Sequence, residues 1–560
     1  MKKFLFSLII TFSPLLLYAE EVKINGIYYN LSESSAEVVW NLNINDEYKG
    51  KIVIPDMIVY GGKEYVVTSI GRGAFGDCLE LTSVSIPASV TSIGECAFWY
   101  SENIVSIDIP NSVNTIGDYA FRGCSSLTHV NLPNGLTRIN QGLFEGCSSL
   151  SSIIIPQSVT AISSEVFYDC ISLSSIIIPK SVIHFNNFFN GRITDDFETN
   201  IFEGCSNLKS IVVEEGNPVF DSRENCNAII NTASNTILAT CQNSVIPQGI
   251  TRIGSGAFSR CANLKSISIP NSVKSIGISA IGGCPDLEQV YIPYSVSSIE
   301  GDALSGNPKL SVISIDDKNS VFDSRNNCNA VIETSNNKLI RGCKGTIIPD
   351  GITTIGSAAF GYCTELTSLN IPNSIKKIES GAFHHCEKLK SLYIPNSVTN
   401  IELEAFFCCT MLESINITTI IKQILVYTFA GCESLKAIVI PSSVEKIDYA
   451  VFWECSNLRD VYCYAQEISV SSRAFLDCDL SKMTLHVPEG FVEIYKSKAP
   501  WNEFKEIIPL REGDPDPTAL SSLMDETKRD NAWYDMNGRK INGEPRTKGF
   551  YIKNGKKVLK

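Results

Sequence analysis

Twenty cysteines and five histidines are the side chains of this 560-residue chain with the most chemistry to offer. Thirteen of the cysteines recur in one column: Cys78, Cys124, Cys147, Cys170, Cys205, Cys261, Cys284, Cys363, Cys386, Cys409, Cys432, Cys455 and Cys478. Thiolates bind zinc, but one ligand per repeat along a straight line cannot close a tetrahedron. The favoured reading is a stack of buried thiols packing as small apolar groups. Neighbours at strand spacing fall within disulfide range, so occasional oxidation stays open.

Two further pairs differ in kind. Cys226 and Cys241, like Cys328 and Cys343, are 15 residues apart in near-duplicate segments, NPVFDSRENCNAIINTASNTILATC and NSVFDSRNNCNAVIETSNNKLIRGC. An Asn- and Ser-rich turn midway predicts a hairpin with its two cysteines facing each other. In an exported chain each pair is then expected to form a disulfide, which by loop length contributes about 3 kcal/mol. These excursions break the spacing of the chain twice, as lateral projections or as spacers. The repeated VFDSR suggests a ligand loop; a turn in which Asp221 or Asp323 caps backbone is the preferred reading.

The histidines are His129, His184, His384, His385 and His486. His384 and His385 precede Cys386, but that cysteine belongs to the buried column, so the triplet is not assigned to a metal. No HExxH, GxSxG, Walker loop or EF-hand spacing occurs. Paired glycosidase carboxylates cannot be picked out of an acidic repeat. No catalytic residue, cofactor or metal is assigned, and the expectation is that the chain is not an enzyme.

The cysteine column is one of several that a repeat must position. The unit SIGRGAFGDCLELTSVSIPASVT at residues 69–91 returns every 23 residues, with prolines at 87, 110, 133, 156 and 179, at 247, 270 and 293, and at 349, 372 and 395. Its consensus is P-x-x-V-x-x-I-x-x-x-A-F-x-x-C-x-x-L-x-x-I-x-I. Half of the 26 phenylalanines sit in the Ala-Phe column. The L-x-x-I-x-I stretch has the inward spacing of a short strand, and Pro ends it. A period of 20–30 residues predicts a solenoid, whose repeats bury their apolar columns only by stacking. Such a body offers a long surface.

Net charge is −13, while residues 528–560 carry ten basic and three acidic side chains. An acidic solenoid lacks the clustered cations that phosphate backbones need, so nucleic acid is excluded as a partner. The N-terminus MKKFLFSLIITFSPLLLYAEE has two lysines, an apolar run from Phe4 to Leu17, and Ala19 at a cleavage site. That run is too short to span a bilayer and reads as a secretory signal peptide. No later segment predicts a transmembrane span.

The repeat resembles the BspA-type leucine-rich repeats of bacterial surface proteins over some four-fifths of the chain. NGIYYNLSE, IVIPD and GGKEYVVTSIG are similar to that family's N-terminal cap. VPEGFVEIYKSKAPWNEFKEI resembles its closing segment, with Trp501 and Phe504 available to cover the last turn. The resemblance implies a secreted or surface-displayed protein that attaches to host or microbial surface proteins or glycans, without enzymatic activity. The tail, NAWYDMNGRKINGEPRTKGFYIKNGKKVLK, resembles C-terminal sorting signals of the type IX secretion machinery. The features carried over are Tyr534, Asp535, Gly538, Arg539, Gly549, Tyr551, Gly555, Lys556 and Lys557.

The expected organisation follows: signal peptide 1–19, β-rich N-terminal cap 20–68, leucine-rich-repeat superhelix of short parallel strands 69–486, C-terminal cap 487–510, linker 511–527 and a small β tail 528–560. For a docking site, the turn between Pro179 and Cys205 carries 12 extra residues with Phe185, Phe188, Phe189 and Phe197. In the flanking turns the outward strand position, polar at Ser85, Asp108 and Asn131, becomes Ile154, Ile177 and Val212. These seven residues form the candidate contact site, against the possibility that the insertion covers the row itself. Tyr291, Tyr393 and Tyr462 in the same column are a weaker candidate. The function read from these features is adhesion or ligand binding at a cell surface. The alternatives are a structural envelope component and a carbohydrate-active β-helix.

Overall fold

The structure is a computed structural model that describes residues 20–40, 48–189, 192–194 and 201–515, with 533–534, 540–541, 545, 550–553 and 556–559 in the tail. The expected signal peptide, residues 1–19, lies outside the described residues. Two compact units divide the chain, residues 1–245 and 246–560.

Each turn is built the same way because each column has one physical task. The L-x-x-I-x-I stretch forms a strand that pairs in parallel with its counterpart a repeat away. Ser106–Asp108 pairs with His129–Asn131 in the first unit, and Gln289–Ile292 with Val312–Ile315 in the second. Proline then opens a tight turn, with Val90 N–H donating to Pro87 O at 3.1 Å and Val113 N–H to Pro110 O at 3.0 Å. The V-x-x-I step forms a second, two-residue ladder, such as Ser92–Ile93 beside Thr115–Ile116. Backbones run so close at its end that a Cβ on Gly117 would lie 2.4 Å from Glu95 N. The Ala-Phe corner returns the chain, with Phe98 N–H donating to Ala120 O at 2.7 Å on the following turn.

The Phe column stacks in the core. In the first unit, successive rings from Phe75 to Phe202 lie 5.1–6.0 Å apart and nearly parallel. In the second, Phe360 to Phe475 repeat this at 5.0–5.8 Å. The ends are closed by other aromatics: Tyr48 tilts onto Phe75 at 4.8 Å, while Trp501 and Phe504 meet Phe475 edge-on at 5.6 and 5.4 Å. The N-terminal cap is an antiparallel meander of Glu20–Ile24, Ile27–Leu31 and Ser35–Val38, whose last strand joins Lys63–Ile70 in parallel. At the far end, Glu506–Pro509 extends the ladder of Thr484–Val487.

Ten of the thirteen cysteines in the column are buried, with Cys261, Cys363 and Cys478 half-buried, and the column also bonds one turn to the next. Cys124 Sγ donates to Phe98 O at 3.1 Å, Cys147 to Phe121 O at 3.1 Å and Cys386 to Phe360 O at 3.2 Å. Burial pushes these thiols up, to about 12 for Cys284 and Cys409, which holds them protonated and inert.

Both expected hairpins are present, and both correct one expectation. Ala228–Asn231 pairs antiparallel with Thr236–Thr240, and Val331–Glu333 with Lys338–Arg341. Near each turn the register would set Cys226 against Cys241 and Cys328 against Cys343. A β-bulge between Ile229 and Ile230, and between Val331 and Ile332, shifts that register. Beyond the bulges Ala228 faces Thr240 and Val331 faces Arg341, so Asn227 and Asn329 come opposite Cys241 and Cys343. All four cysteines are free thiols, and the expected bridges are not formed.

The VFDSR segment is a structural turn in both copies. Asp221 Oδ1 accepts from Arg223 N–H at 3.2 Å, and the Arg223 guanidinium returns to that carboxylate and reaches Asn235 Oδ1 at 3.0 Å. Asp323, Arg325 and Asn337 repeat the pattern. In the second unit the hairpin is a spacer within the solenoid: Lys338–Arg341 joins Thr354–Ile355 in parallel. The tail contains a four-stranded antiparallel sheet of Trp533–Tyr534, Lys540–Ile541, Phe550–Lys553 and Lys556–Leu559.

Candidate binding surface

The outward apolar row stands clear of the first unit. Ile154 is 85% exposed, Ile177 58% and Val212 43%. Ser175–Ile178 and Ser210–Val213 pair in parallel with Ile177 beside Val212, while the alternate residues Ile176 and Ile211 are buried. Strand alternation thus forces every second side chain outward, and in these turns that side chain is β-branched and apolar. A polar edge borders the row, where Gln157 Nε2 and Lys180 N–H donate to Glu214 at 2.8 and 3.0 Å. Those bonds hold the Glu214 carboxyl below its usual range.

Phe185 does not join this row as expected. Phe185 is buried, its ring tilted against Phe220 at 4.8 Å, so it belongs to the core rather than to a contact site. Its strand, His184–Phe189, continues the V-x-x-I ladder beside Ala161–Ser163, a different ladder from the one carrying Ile177. Phe188 and Phe189 continue that strand as it turns into an antiparallel pair with Arg192–Thr194. Phe197 lies outside the described residues. The V-x-x-I spacing, which puts Phe185 in the Ile column, was the available signal for its burial.

Sequence reasoning also missed an aromatic ridge on the corners of the second unit. Tyr362 stacks on His385 at 4.6 Å, His385 meets Phe407 edge-on at 5.5 Å, and Phe407 meets Tyr427 at 6.3 Å. Tyr427 continues to Tyr449 and Trp453 at 5.9 and 6.0 Å. The corner positions between Phe and Cys look free to vary, but here they gather rings on successive turns. His384 bonds Gly381 O at 2.6 Å and Cys386 points to Phe360 O, so the His-His-Cys triplet does not converge. Of the tyrosine column, Tyr291 is exposed and donates to Asp316 at 2.7 Å, whereas Tyr462 stacks on His486 at 4.1 Å.

Among the described residues no group of three or more His, Cys, Asp or Glu could hold a metal ion. No described helix is long and apolar enough to cross a membrane.

Parallel ladders, a stacked Phe column and aromatic end caps define a leucine-rich-repeat solenoid. The family model for the BspA type leucine rich repeat region matches residues 68–194, 236–341, 341–459 and 382–498, well over half of the chain. The chain belongs to that family, whose members are usually cell-surface proteins with binding roles and are generally not enzymes. Among solved structures, it is similar to a leucine-rich repeat protein from Bacteroides ovatus, at 26% identity, covering 79% of this chain and 94% of that one, with a TM-score of 0.41. A leucine rich cell surface protein from Faecalibacterium prausnitzii matches at 22% identity, covering 88% and 96%, with a TM-score of 0.31. The pneumococcal vaccine antigen PcpA matches at 16% identity, covering 88% and 99%, with a TM-score of 0.34. A comparison with curated proteins returns no match.

Proposed function

We propose that this protein is exported and displayed or released at the outer cell surface, where it attaches to a host or microbial surface protein or glycan without catalysis. The observation that carries the reading is the exposed row of Ile154, Ile177 and Val212, bordered by polar groups, with Ile177 and Val212 side by side on a parallel ladder. Apolar patches of this kind with a polar rim suit a protein partner. The signal peptide at 1–19 and the sorting-like tail at 528–560 support export, the tail through type IX machinery. Phe188 and Phe189 are proposed to extend the contact from the neighbouring insertion.

The test is saturable attachment of the mature chain to immobilised extracellular matrix proteins and to a glycan array. Replacing Ile154 and Ile177 with Ser is expected to weaken attachment at least tenfold, about 1.4 kcal/mol or more, with the circular dichroism spectrum unchanged. Background retention on every such surface, or full attachment by the folded double variant, sinks the reading. A separate Phe188→Ser, Phe189→Ser variant decides whether the insertion shares the contact.

A further inference from the structure

The aromatic ridge of the second unit runs over successive turns from Tyr362 to Trp453, about 19 Å at the spacing of stacked strands. Tyr362 and Tyr449 are 43% and 37% exposed, and His385, Phe407, Tyr427 and Trp453 are half-buried. Carboxylates accompany the rings. Trp453 Nε1–H donates to Asp477 at 2.8 Å. Burial, and then Glu454, Glu433 and Glu387, push the Cys408 thiol up, so these three carboxylates stand around the residue that follows Phe407. Cys408 N–H donates to Ala430 O at 2.7 Å, which brings the group beside Ala430. Glu387, Glu433 and Glu454 are exposed, and among the described residues none of them is in an ion pair. Of the cations on this face, Lys388 is engaged by Glu365 at 2.8 Å. Arg473 is exposed one turn beyond Tyr449, where its carbonyl accepts from Ala450 N–H at 3.0 Å.

The first unit shows how the repeat completes such a corner. Tyr119 stands two residues before its column Phe, as Tyr427 does, and Arg122 follows that Phe where the second unit has Ala430. The Arg122 guanidinium lies 5.4 Å over the Tyr119 ring and pairs with Glu145 at 3.0 Å. Ring, cation and carboxylate are all internal there. The second unit keeps the ring and gathers further rings and carboxylates, but Ala430 leaves it without the cation. An aromatic face and a carboxylate each attract a cation, and a planar guanidinium serves both at once.

We propose that the ridge binds an arginine-bearing peptide segment of a partner protein, its guanidinium groups lying on Tyr427 and the neighbouring rings and donating to Glu433 and Glu454. An extended segment of about six residues matches the length of the ridge. This surface belongs to the other unit from the row of Ile154, Ile177 and Val212, and neither contact depends on the other.

Fluorescence anisotropy tests this, with the mature chain titrated at physiological ionic strength into labelled eight-residue Gly-Arg, Gly-Lys and Gly-Glu repeat peptides. Saturable binding of the arginine peptide is expected, at least threefold tighter than the lysine peptide, with no binding of the glutamate peptide. Glu433→Gln with Glu454→Gln is expected to weaken it at least fivefold. Glu102→Gln with Glu224→Gln, which removes the same charge from the first unit, should change it less than twofold. Tyr427→Leu is expected to weaken binding at least fivefold with the circular dichroism spectrum unchanged. Should that variant fail to fold, Tyr362→Ser at the exposed end takes its place. Absence of saturable binding, equal affinity for the arginine and lysine peptides, equal losses in the two Gln pairs, or full binding by the folded ring variant would overturn the proposal.

Discussion

The two hairpins share the VFDSR turn, the Asp–Arg–Asn bonds and the bulge, yet one closes on a pair of rings and the other borders a cavity. In the first, Phe185 and Phe220 meet at 4.8 Å in the core. In the second, Ile299 occupies the Phe185 column, Phe322 corresponds to Phe220, and Arg341 replaces Ala239 beside a space of about 350 Å³. The difference teaches that the shared residues build the turn while a few columns outside it decide what the turn encloses. A duplicated segment keeps its local bonds when those close within a few residues. Its packing depends on the neighbouring repeat, where the copies have diverged.

The strongest test of this contrast removes the ring. Phe185→Ala is expected to cost about 3–5 kcal/mol in urea unfolding, as a cavity opens in a filled core. Ile299→Ala, beside a space that already exists, should cost no more than about 2 kcal/mol. Equal losses at the two positions would mean that both hairpins are packed alike.

A smaller effect comes from the thiols common to both regions. Cys226 is pushed up to about 11 and Cys409 to about 12 from the ordinary value of 9.0, in each case chiefly by burial. Below pH 9 both folded and unfolded thiols keep their protons, and the stability they confer is fully present. Above it the unfolded chain ionises first, so that stability is lost as pH rises toward about 12. The melting temperature should therefore hold level to pH 9 from the thiols' side and fall above it, steeply because many thiols titrate together. A profile flat to pH 11 would show that these thiols are not buried as the structure has them.

The last comparison predicts no energetic change at all. Alkylation of the unfolded, unreduced protein should label all 20 cysteines, because the same bulge misaligns both hairpin pairs. Protection of Cys226 with Cys241, or of Cys328 with Cys343, would show that the register has slipped back to the symmetric one.

Much of the molecule was legible in the repeat itself. The Phe and Cys columns, the proline turns and the outward positions of Ile154, Ile177 and Val212 follow from a 23-residue period and strand alternation. The closing role of Trp501 and Phe504 was visible as aromatics just past the last turn. Less was legible wherever the period breaks. Phe185 looked like part of an exposed aromatic insertion because composition drew the eye, although its column assigned it inward. The ridge from Tyr362 to Trp453 was hidden because its members occupy different corner columns and meet only across turns.

The sequence by itself determined a coiled stack of β-turns, its buried columns and its family, since a strict period writes the same burial pattern into every repeat. Tertiary structure alone decided which cysteines face each other, which phenylalanine turns inward, and where a ladder gap leaves a cavity beside a buried arginine. The physical reason is range: columns are specified within one repeat, whereas a bulge or a gap is settled by how one strand registers against another far along the chain.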